Sequence, residues 1–311
     1  MKILILGGSG FFGKSIVDYF QRVVFPSNKD YKLILASRNI QSIHDDISYK
    51  YLNSHIYLEN IDVTTCKKIP NADLVIHAAN TTSEEEYNTS PLTNKEIIIQ
   101  GTKNIMKLLH RNTSFMYISS GSVYGVQENI NIKFPEESSL NTKQHNGPKK
   151  IYSESKVIAE NIVREYSKKN NIKSTIARCF AFIGKHTPRK KHFIIGNVLN
   201  AIENNKQLII SSKKPIYRSF MFADDLVSSL LFINKFSNSL SETFNIGSDE
   251  YYEIHELVKT LNQEYKIDIK DSNTADFSEK ADIYLPNIQK LLSHGFKASY
   301  NLKSAMKNII N

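Results

Sequence analysis

A tyrosine and a lysine stand four residues apart in the segment IYSESK, as Tyr152 and Lys156. In a helix this spacing puts both side chains on one face, although the same spacing is also common at exposed helix starts. A phenol titrates near pH ~10 and is a poor acid or base until a neighbouring positive charge stabilises its anion. The pair therefore predicts proton exchange with a substrate oxygen, with Tyr152 as the acid/base and Lys156 lowering its pKa.

A hydroxyl partner for this pair is offered by the strand-like segment SFMYISS and the GSVYG that follows it. Ser119, Ser120 and Ser122 fall where the strand would end, and open parallel sheets bind ligands at the carboxyl ends of their strands. A serine there is expected to orient the substrate oxygen while a nicotinamide cofactor exchanges hydride with the carbon. Lys156 is also expected to hold the nicotinamide ribose.

The segments that carry these residues alternate between strand and helix patterns. Apolar runs typical of buried parallel strands occur at KILILG, YKLILAS, HIYLENID, ADLVIHAA, SFMYISS and STIARCFAF. This alternation predicts an α/β fold with a Rossmann-type doubly wound parallel sheet. The regular alternation of strand and helix patterns stops after Gly184. This change indicates a smaller, interleaved C-terminal lobe that binds the substrate. The predicted dinucleotide-binding domain is 1–183 plus about 217–247, and the predicted lobe is about 184–216 and 248–311.

The turn after the first strand, GGSGFFG, has three glycines spaced three residues apart before a helix. Glycines there permit a tight turn and let a pyrophosphate approach the N-terminus of the helix. The turn is therefore predicted to bind a dinucleotide. The predicted contacts in it are Gly7, Ser9, Gly10, Phe11, Phe12 and Gly13.

The end of the second strand bears on the choice of nicotinamide cofactor. Chains that bind NAD carry a carboxylate there for the ribose hydroxyls, but the segment LILASRN has none. Arg38 is available instead for the extra phosphate of NADP, so NADP(H) is favoured and NAD(H) is the alternative. Asp62 and Val63 stand where such folds contact adenine. Ala78 and Ala79 end the fourth strand beside the cofactor.

Composition limits the other classes of function. The chain has 311 residues and a net charge of +9, and its lysines and arginines are spread over the whole length. That distribution indicates a solvated basic surface suited to an anionic small substrate, and we expect no nucleic-acid partner. No apolar run is long enough for a signal sequence or a membrane span. Because Cys66 and Cys179 suggest neither a disulfide framework nor a metal site, we expect a cytoplasmic protein without a metal.

In their order along the chain, these motifs resemble the extended short-chain dehydrogenase/reductases, in the branch of nucleotide-sugar epimerases, dehydratases and 4-ketoreductases. The resemblance covers nearly the whole chain. It rests on the glycine turn, the ID of Ile61-Asp62, VIHAA, SSGSVYG, YSESK and RSFMFADDL.

Carried over by position, the resemblance implies a catalytic triad of Ser120, Tyr152 and Lys156. It implies that Arg218 binds the substrate diphosphate, and Asp225 matches an aspartate of the family seven residues later. The implied substrate contacts are Ser122, His192, Phe193, Asn197 and Arg218.

Related enzymes pair two helices across a two-fold axis, so the resemblance also implies a homodimer. The helices here would be those near Asn94–His110 and Tyr152–Lys169. Their apolar positions, some of them core residues, include Ile98, Ile105, Leu108, Ile158 and Ile162.

The chain departs from the family at the residues that distinguish dehydratases. Sugar-nucleotide 4,6-dehydratases carry an Asp-Glu pair directly after the catalytic serine or threonine, where this chain has Gly121 and Ser122. These two residues cannot remove a proton next to a transient ketone. Three further positions differ from the family. A threonine of the family is replaced by Leu6, and two asparagines are replaced by Ile98 and Ala181.

Three functions remain as alternatives. In the favoured one, NADPH reduces C4 of a dTDP-4-keto-6-deoxyhexose, for surface polysaccharide sugars, and Tyr152 protonates the oxygen. In the second, a tightly held NAD supports a nucleotide-sugar 4-epimerase. The remote third is a non-catalytic dinucleotide-binding or nucleic-acid-binding relative, which would commonly lose the tyrosine–lysine pair.

Overall fold

Buried strands rich in valine, isoleucine and leucine form the centre of the molecule. The computed structural model describes residues 1–48, 50–80, 88–189, 193–210, 212–270 and 275–310. The strands in this part of the chain are β1 (Lys2–Leu6), β2 (Lys32–Ser37), β3 (Ile56–Asn60), β4 (Leu74–His77), β5 (Ser114–Ser120), β6 (Ser174–Cys179), β7 (Phe182–Ile183), β8 (Leu208–Ile209), β9 (Ile216–Ser219), β10 (Met221–Phe222), β11 (Glu242–Ile246), β12 (Tyr251–Glu253), β13 (Ile269–Lys270) and β14 (Asp282–Tyr284).

Helices connect most of these strands. The α-helices of the described residues are α1 (Phe11–Tyr19), α2 (Phe25–Ser27), α3 (Pro91–Leu108), α4 (Gly147–Asn170), α5 (Ile194–Asn204), α6 (Ala223–Ile233), α7 (Ile254–Tyr265), α8 (Gln289–Ser293) and α9 (Leu302–Ile310). A π-helical turn, Phe20–Val24, joins α1 to α2. Short 3-10 turns occur at Gln41–Asp46, Gly121–Tyr124, Thr142–Gln144 and Asn234–Phe236.

The large sheet has the strand order β11-β6-β5-β4-β1-β2-β3, and every neighbouring pair in it is parallel. The order reverses between β1 and β4, which is the point where doubly wound sheets bind ligands. The predicted Rossmann-type fold is therefore confirmed. Because all seven strands run the same way, their carboxyl ends lie along one edge, where the predicted site residues collect.

A second hydrophobic core lies in the C-terminal part of the chain. It is formed by residues of α5, α7 and α9 together with Phe220 and Phe222. A three-stranded sheet, in which β9 pairs antiparallel with β12 and parallel with β14, belongs to the same part. The chain also returns to the large core, because Leu226 of α6 and Leu291 of α8 are buried there. The chain thus crosses between the two cores more than once.

The helix that carries the tyrosine–lysine pair is longer than predicted. It was expected from Tyr152 to Lys169, and α4 begins at Gly147, with Pro148 inside its first turn. Proline is accepted there because the first N–H groups of a helix have no partner within the helix. Tyr152 and Lys156 therefore stand in the interior of a formed helix.

Among the described helices, none combines the length and the apolar character needed to cross a bilayer.

Candidate active site

The glycine turn joins β1 to α1 and lies against the end of β4. Gly7 has a φ of +92°, and a Cβ there would lie 2.7 Å from the carbonyl oxygen of Ala78. A Cβ on Gly13 would collide with the backbone of Gly8, so α1 packs directly on the turn. The first turn of α1 carries no acidic residue and no side-chain cap. Its N–H groups are therefore suited to a pyrophosphate, and the bare backbone leaves room for it.

The side chains of the two phenylalanines that begin α1 pack against a third aromatic ring, that of Phe182. The Phe11 ring stacks on Phe182, with 6.2 Å between the ring centroids, and Phe12 meets the same ring edge-on at 5.8 Å. Both side chains thus pack between α1 and β7. The groups that they offer to a phosphate are their backbone N–H groups, in the first turn of the helix.

Two hydroxyls and a guanidinium lie at the end of β2. The Oγ atoms of Ser9 and Ser37 are 2.9 Å apart, which links the glycine turn to the strand end. Ser37 also accepts a hydrogen bond of 3.2 Å from the backbone N–H of Asn39. Arg38, between these two residues, is exposed. The strand end is therefore a cluster of donors without a carboxylate of its own.

The next strand end, after β3, carries Asp62 and Val63. Asp62 Oδ1 accepts hydrogen bonds from the backbone N–H (2.8 Å) and the hydroxyl (2.6 Å) of Thr64. These bonds lower the pKa of Asp62, and the Arg38 guanidinium adds to the effect. Val63 is buried, and its side chain lies against Gly101 of α3 in a hydrophobic core that also contains Ile98 and Ile105. Its side chain therefore faces α3, and only its backbone remains for an adenine.

Tyr152 and Lys156 meet beneath the end of β5. Lys156 is buried, and its Nζ donates to the Ile118 carbonyl oxygen at 2.8 Å and to Asn80 Oδ1 at 3.4 Å. The same Nζ lies 4.9 Å from the ring centroid of Tyr117 and 5.7 Å from that of Tyr152. Burial lowers the pKa of Lys156 to about 8. The structure thus brings the predicted pair together around a buried ammonium.

Ser120 ends β5 at the same edge of the sheet. Its Oγ accepts a hydrogen bond of 3.2 Å from the backbone N–H of Ser122 and lies 3.3 Å from the hydroxyl of Tyr284. The Tyr284 hydroxyl also donates to the Cys179 carbonyl oxygen at 3.3 Å. Burial raises the pKa of Tyr284 to about 12, so this hydroxyl stays protonated. No sequence motif pointed to Tyr284, which is 164 residues from its partner.

An aromatic ring fills the space next to the serine. A Cβ on Gly121 would collide with the ring of Phe180, and that ring lies tilted against Tyr284 with 4.8 Å between the centroids. The Oγ of Ser122 is buried and has no hydrogen-bond partner among the described residues. A side chain on Gly121 would therefore have to displace the Phe180 ring.

A buried ion pair joins β6 to α4. The guanidinium of Arg178 binds both carboxylate oxygens of Glu160, at 3.1 Å and 2.7 Å. Glu160 also accepts a hydrogen bond of 2.6 Å from Ser119 Oγ. Ser119 is therefore a structural link between β5 and α4, and it is not the hydroxyl that faces the substrate.

Arg218 belongs to β9, within the range of about 217–247 predicted for the dinucleotide-binding domain. Arg218 of β9 is paired with Tyr284 of β14. The hydroxyl of Tyr284 in turn lies 3.3 Å from Ser120 Oγ. The guanidinium forms an ion pair of 2.7 Å with Asp282 Oδ2. His145, which was not predicted, binds the Ser122 carbonyl oxygen through Nε2 at 2.8 Å.

The other residues carried over from the resemblance are more dispersed. His192 lies outside the described residues. Phe193, 42% exposed, precedes α5, and its carbonyl oxygen accepts a hydrogen bond of 3.1 Å from the backbone N–H of Asn197. Asp225 is not a site residue, because its carboxylate accepts the backbone N–H groups of Ser299 (2.8 Å) and Tyr300 (3.0 Å). It anchors the C-terminal segment to α6.

An extended short-chain dehydrogenase/reductase is the class that this fold defines. The chain belongs to the NAD dependent epimerase/dehydratase family, whose model matches residues 3–247. The resemblance found from the sequence is therefore confirmed, and the family is one of enzymes.

Two curated relatives illustrate the range of the family. The chain is 28% identical over 266 residues to the dTDP-D-glucose 4,6-dehydratase of Dictyostelium discoideum, which covers 80% of this chain and 58% of that protein. It is 24% identical over 272 residues to UDP-glucuronic acid decarboxylase 6 of Arabidopsis thaliana, covering 87% and 76%. This chain thus spans little more than half the length of the first of these relatives.

Solved structures with the same fold cover the whole chain. The dTDP-glucose 4,6-dehydratase of Bacillus anthracis, in complex with NAD, matches with a TM-score of 0.79 at 19% identity, covering 100% of this chain and 95% of the other. The UDP-glucuronic acid 4-epimerase of Bacillus cereus, in complex with UDP-glucuronic acid and NAD, matches at 0.78 and 18%, covering 100% and 99%. RMD of Pseudomonas aeruginosa, complexed with NADPH, matches at 0.74 and 21%, covering 99% and 97%.

Proposed function

We propose that this protein is an NADP-dependent 4-ketoreductase that acts on a nucleotide-activated sugar, with a dTDP-4-keto-6-deoxyhexose as the best candidate substrate. The reaction belongs to the making of sugars for surface polysaccharides. One observation carries the choice of reduction over epimerisation. The end of β2 offers Ser9, Ser37 and Arg38 as donors and has no carboxylate between Lys32 and Ile40. A site of this kind suits the extra phosphate of NADP, and a reductase must exchange its dinucleotide at every turnover.

The residues present fit a bound dinucleotide. The glycine turn and the N-terminus of α1 would hold the pyrophosphate, and Lys156 would hold the nicotinamide ribose. Ala78 and Ala79, which follow β4, lie against Gly7 of the same turn. The cofactor supplies the hydride that reduces C4.

The catalytic work of the chain itself is proton delivery and orientation. Tyr152 would give its phenolic proton to the C4 oxygen, because it stands beside the ammonium that favours the phenolate left behind. Ser120 Oγ would donate a hydrogen bond to the same oxygen. The neighbouring Tyr284 hydroxyl gives its own proton to the Cys179 carbonyl oxygen and is therefore not a second donor to the substrate. Arg218 would bind the diphosphate.

Dehydration is not supported, although dehydratases are among the relatives. That reaction needs an acid/base group at C5 and C6 of the sugar, next to the catalytic serine. Neither Gly121 nor Ser122 carries a carboxylate, and the Phe180 ring lies over Gly121. Among the described residues, the carboxylate of Glu160 is close to this region but is buried in its pair with Arg178.

Epimerisation at C4 is the second candidate. It needs the same serine, tyrosine and lysine and no further acid/base group, since the enzyme takes a hydride from C4 and returns it. The structural match to the 4-epimerase of Bacillus cereus, solved with NAD, spans 99% of that chain. A tightly bound NAD in the purified protein would favour this reading.

The deciding experiment incubates the enzyme with NADPH and a dTDP-4-keto-6-deoxyhexose and follows the nicotinamide absorbance. We expect NADPH to be consumed, and Tyr152→Phe to abolish the reaction while NADPH still binds. Consumption of no NADPH, together with interconversion of a UDP- or dTDP-hexose with its C4 epimer, would replace reduction with epimerisation. Near-normal turnover by Tyr152→Phe would remove Tyr152 from the mechanism.

A further inference from the structure

The arginine proposed for the diphosphate is already bound to an anion from its own chain. Arg218 Nη2 donates to Asp282 Oδ2 at 2.7 Å. Its Nη1 donates to the backbone carbonyl oxygens of Tyr217 and Asp282, each at 2.9 Å. Both terminal nitrogens of the guanidinium therefore have acceptors, and one of these acceptors carries a full negative charge.

Strand pairing keeps this carboxylate in place. β9 and β14 are parallel, with Arg218 opposite Tyr284 and Ile216 opposite Asp282. The side chain of Asp282 is 51% exposed and that of Arg218 is 21% exposed. The carboxylate is therefore the more exposed partner, and a ligand coming from solvent meets a negative charge beside the arginine. A diphosphate that binds Arg218 must therefore displace the Asp282 carboxylate or lie next to it.

We propose that Asp282 is a positioning residue that competes with the substrate diphosphate for Arg218 and so weakens nucleotide binding. This inference rests on the proposed function, because it takes the Arg218 assignment from it. Two like charges at one guanidinium repel each other, so the diphosphate binds less tightly than the arginine alone would allow. The consequence is faster release of the nucleotide product, since affinity differences of this kind act mostly on dissociation.

Other charged groups around Asp282 do not remove the competition. Lys149, in the first turn of α4, and His145 are close enough for the charge of Asp282 to act on both. Although burial opposes the effect, Arg218 lowers the pKa of Asp282. Asp282 is therefore a carboxylate at neutral pH, when the competing diphosphate is also charged.

The test measures binding by calorimetry with dTDP and UDP as diphosphate probes and with thymidine and uridine as probes that lack phosphate. We expect Asp282→Asn to bind the diphosphates about tenfold more tightly and the nucleosides with unchanged affinity. A purely structural role for Asp282 would alter both probe types or neither. Glu279→Gln is the matched control, because Glu279 is an exposed carboxylate in the same segment, and its affinities should equal those of the native enzyme.

Arg218→Gln separates this inference from the proposed function. If Arg218→Gln binds dTDP and UDP as tightly as the native enzyme, the diphosphate assignment itself is wrong. If Arg218→Gln binds them weakly but Asp282→Asn gives equal or weaker binding than native, the competition is overturned and the assignment stands. In the Arg218→Gln background, Asp282→Asn should bring no gain, and a gain there would also contradict the mechanism.

Discussion

At the scale of single residues, Lys156 holds its ammonium on a carbonyl oxygen, an amide oxygen and the faces of two aromatic rings. Burial lowers its pKa to about 8 from the ordinary value of 10.5. Between these two values the unfolded chain binds more protons than the folded one. The free energy of unfolding contributed by Lys156 therefore rises as the pH rises through this window.

We expect denaturant unfolding to show this rise as a difference between the native protein and Lys156→Met. The native protein should gain stability relative to the variant from about pH 8 upward. Cys66, whose pKa is raised by burial, opposes the rise, but it is present in both proteins and cancels in the difference. Lys168→Met, at an exposed position of the same helix, is the control. Equal pH dependence in the native protein and Lys156→Met would contradict the buried ammonium.

Arg38 is the residue on which the proposed preference for NADP depends. We expect Arg38→Ala to weaken NADPH binding about tenfold, or ~1.4 kcal/mol, and to leave NADH binding nearly unchanged, because only NADPH carries the additional phosphate. Fluorescence titration with the two cofactors measures this directly. Arg111→Ala is the control, since Arg111 is exposed just before β5, at the opposite edge of the sheet. A native protein that binds NADH as tightly as NADPH would refute the NADP assignment.

At the scale of elements, α4 and β6 are held together by the pair of Glu160 and Arg178, both of them buried. Glu160→Gln would leave the Arg178 charge uncompensated, and we expect it to destabilise the protein by about 3–5 kcal/mol. Glu165→Gln, at an exposed position of α4, should change stability little. Both are measured by denaturant unfolding.

The double variant Glu160→Met/Arg178→Met tests the reason for this loss. Because both charges are removed and apolar side chains replace them, much of the stability should return. A double variant no more stable than Glu160→Gln would mean that the pair contributes through specific geometry and not through charge balance. The turnover of the double variant then measures whether the pair also positions Ser119 and β5.

The elements that the sequence predicts well are those with local signals. The unbroken apolar run of β1, the glycines that follow it and the four-residue spacing in α4 each leave a pattern within a few residues. The contacts of β14 leave none, because that strand has only three residues and its partners lie far away in the sequence. Tyr284, Asp282 and the Phe180 ring over Gly121 were therefore beyond prediction. Pairing of this kind is decided by the tertiary fold.

At the scale of the whole molecule, the proposed homodimer depends on few exposed apolar side chains. Ile98 and Ile105 are buried in the hydrophobic core that also contains Val63, so they do not belong to an interface. Ile158 is 38% exposed on α4, and Leu108 and Ile162 are partly buried. If α3 and α4 pair across a two-fold axis, a charge at Ile158 would weaken the dimer interface most.

We expect light scattering to give a dimer for the native protein at micromolar concentration and a monomer for Ile158→Glu, because a charge in an apolar interface has no partner. Leu240→Glu is the control, since Leu240 is 66% exposed before β11 and lies outside both helices. A native protein that scatters as a monomer would exclude the helical interface.

The anchoring of α6 by the C-terminal segment has a consequence for synthesis on the ribosome. The amides that donate hydrogen bonds to the Asp225 carboxylate belong to Ser299 and Tyr300, which are translated 74 and 75 residues later. α8, which completes the large core, also comes late in the chain. The nascent chain therefore emerges with most of its sheet made but its core open, and it reaches its final packing only after these segments have left the tunnel. At ~5–20 residues per second, synthesis leaves this packing incomplete for a matter of seconds.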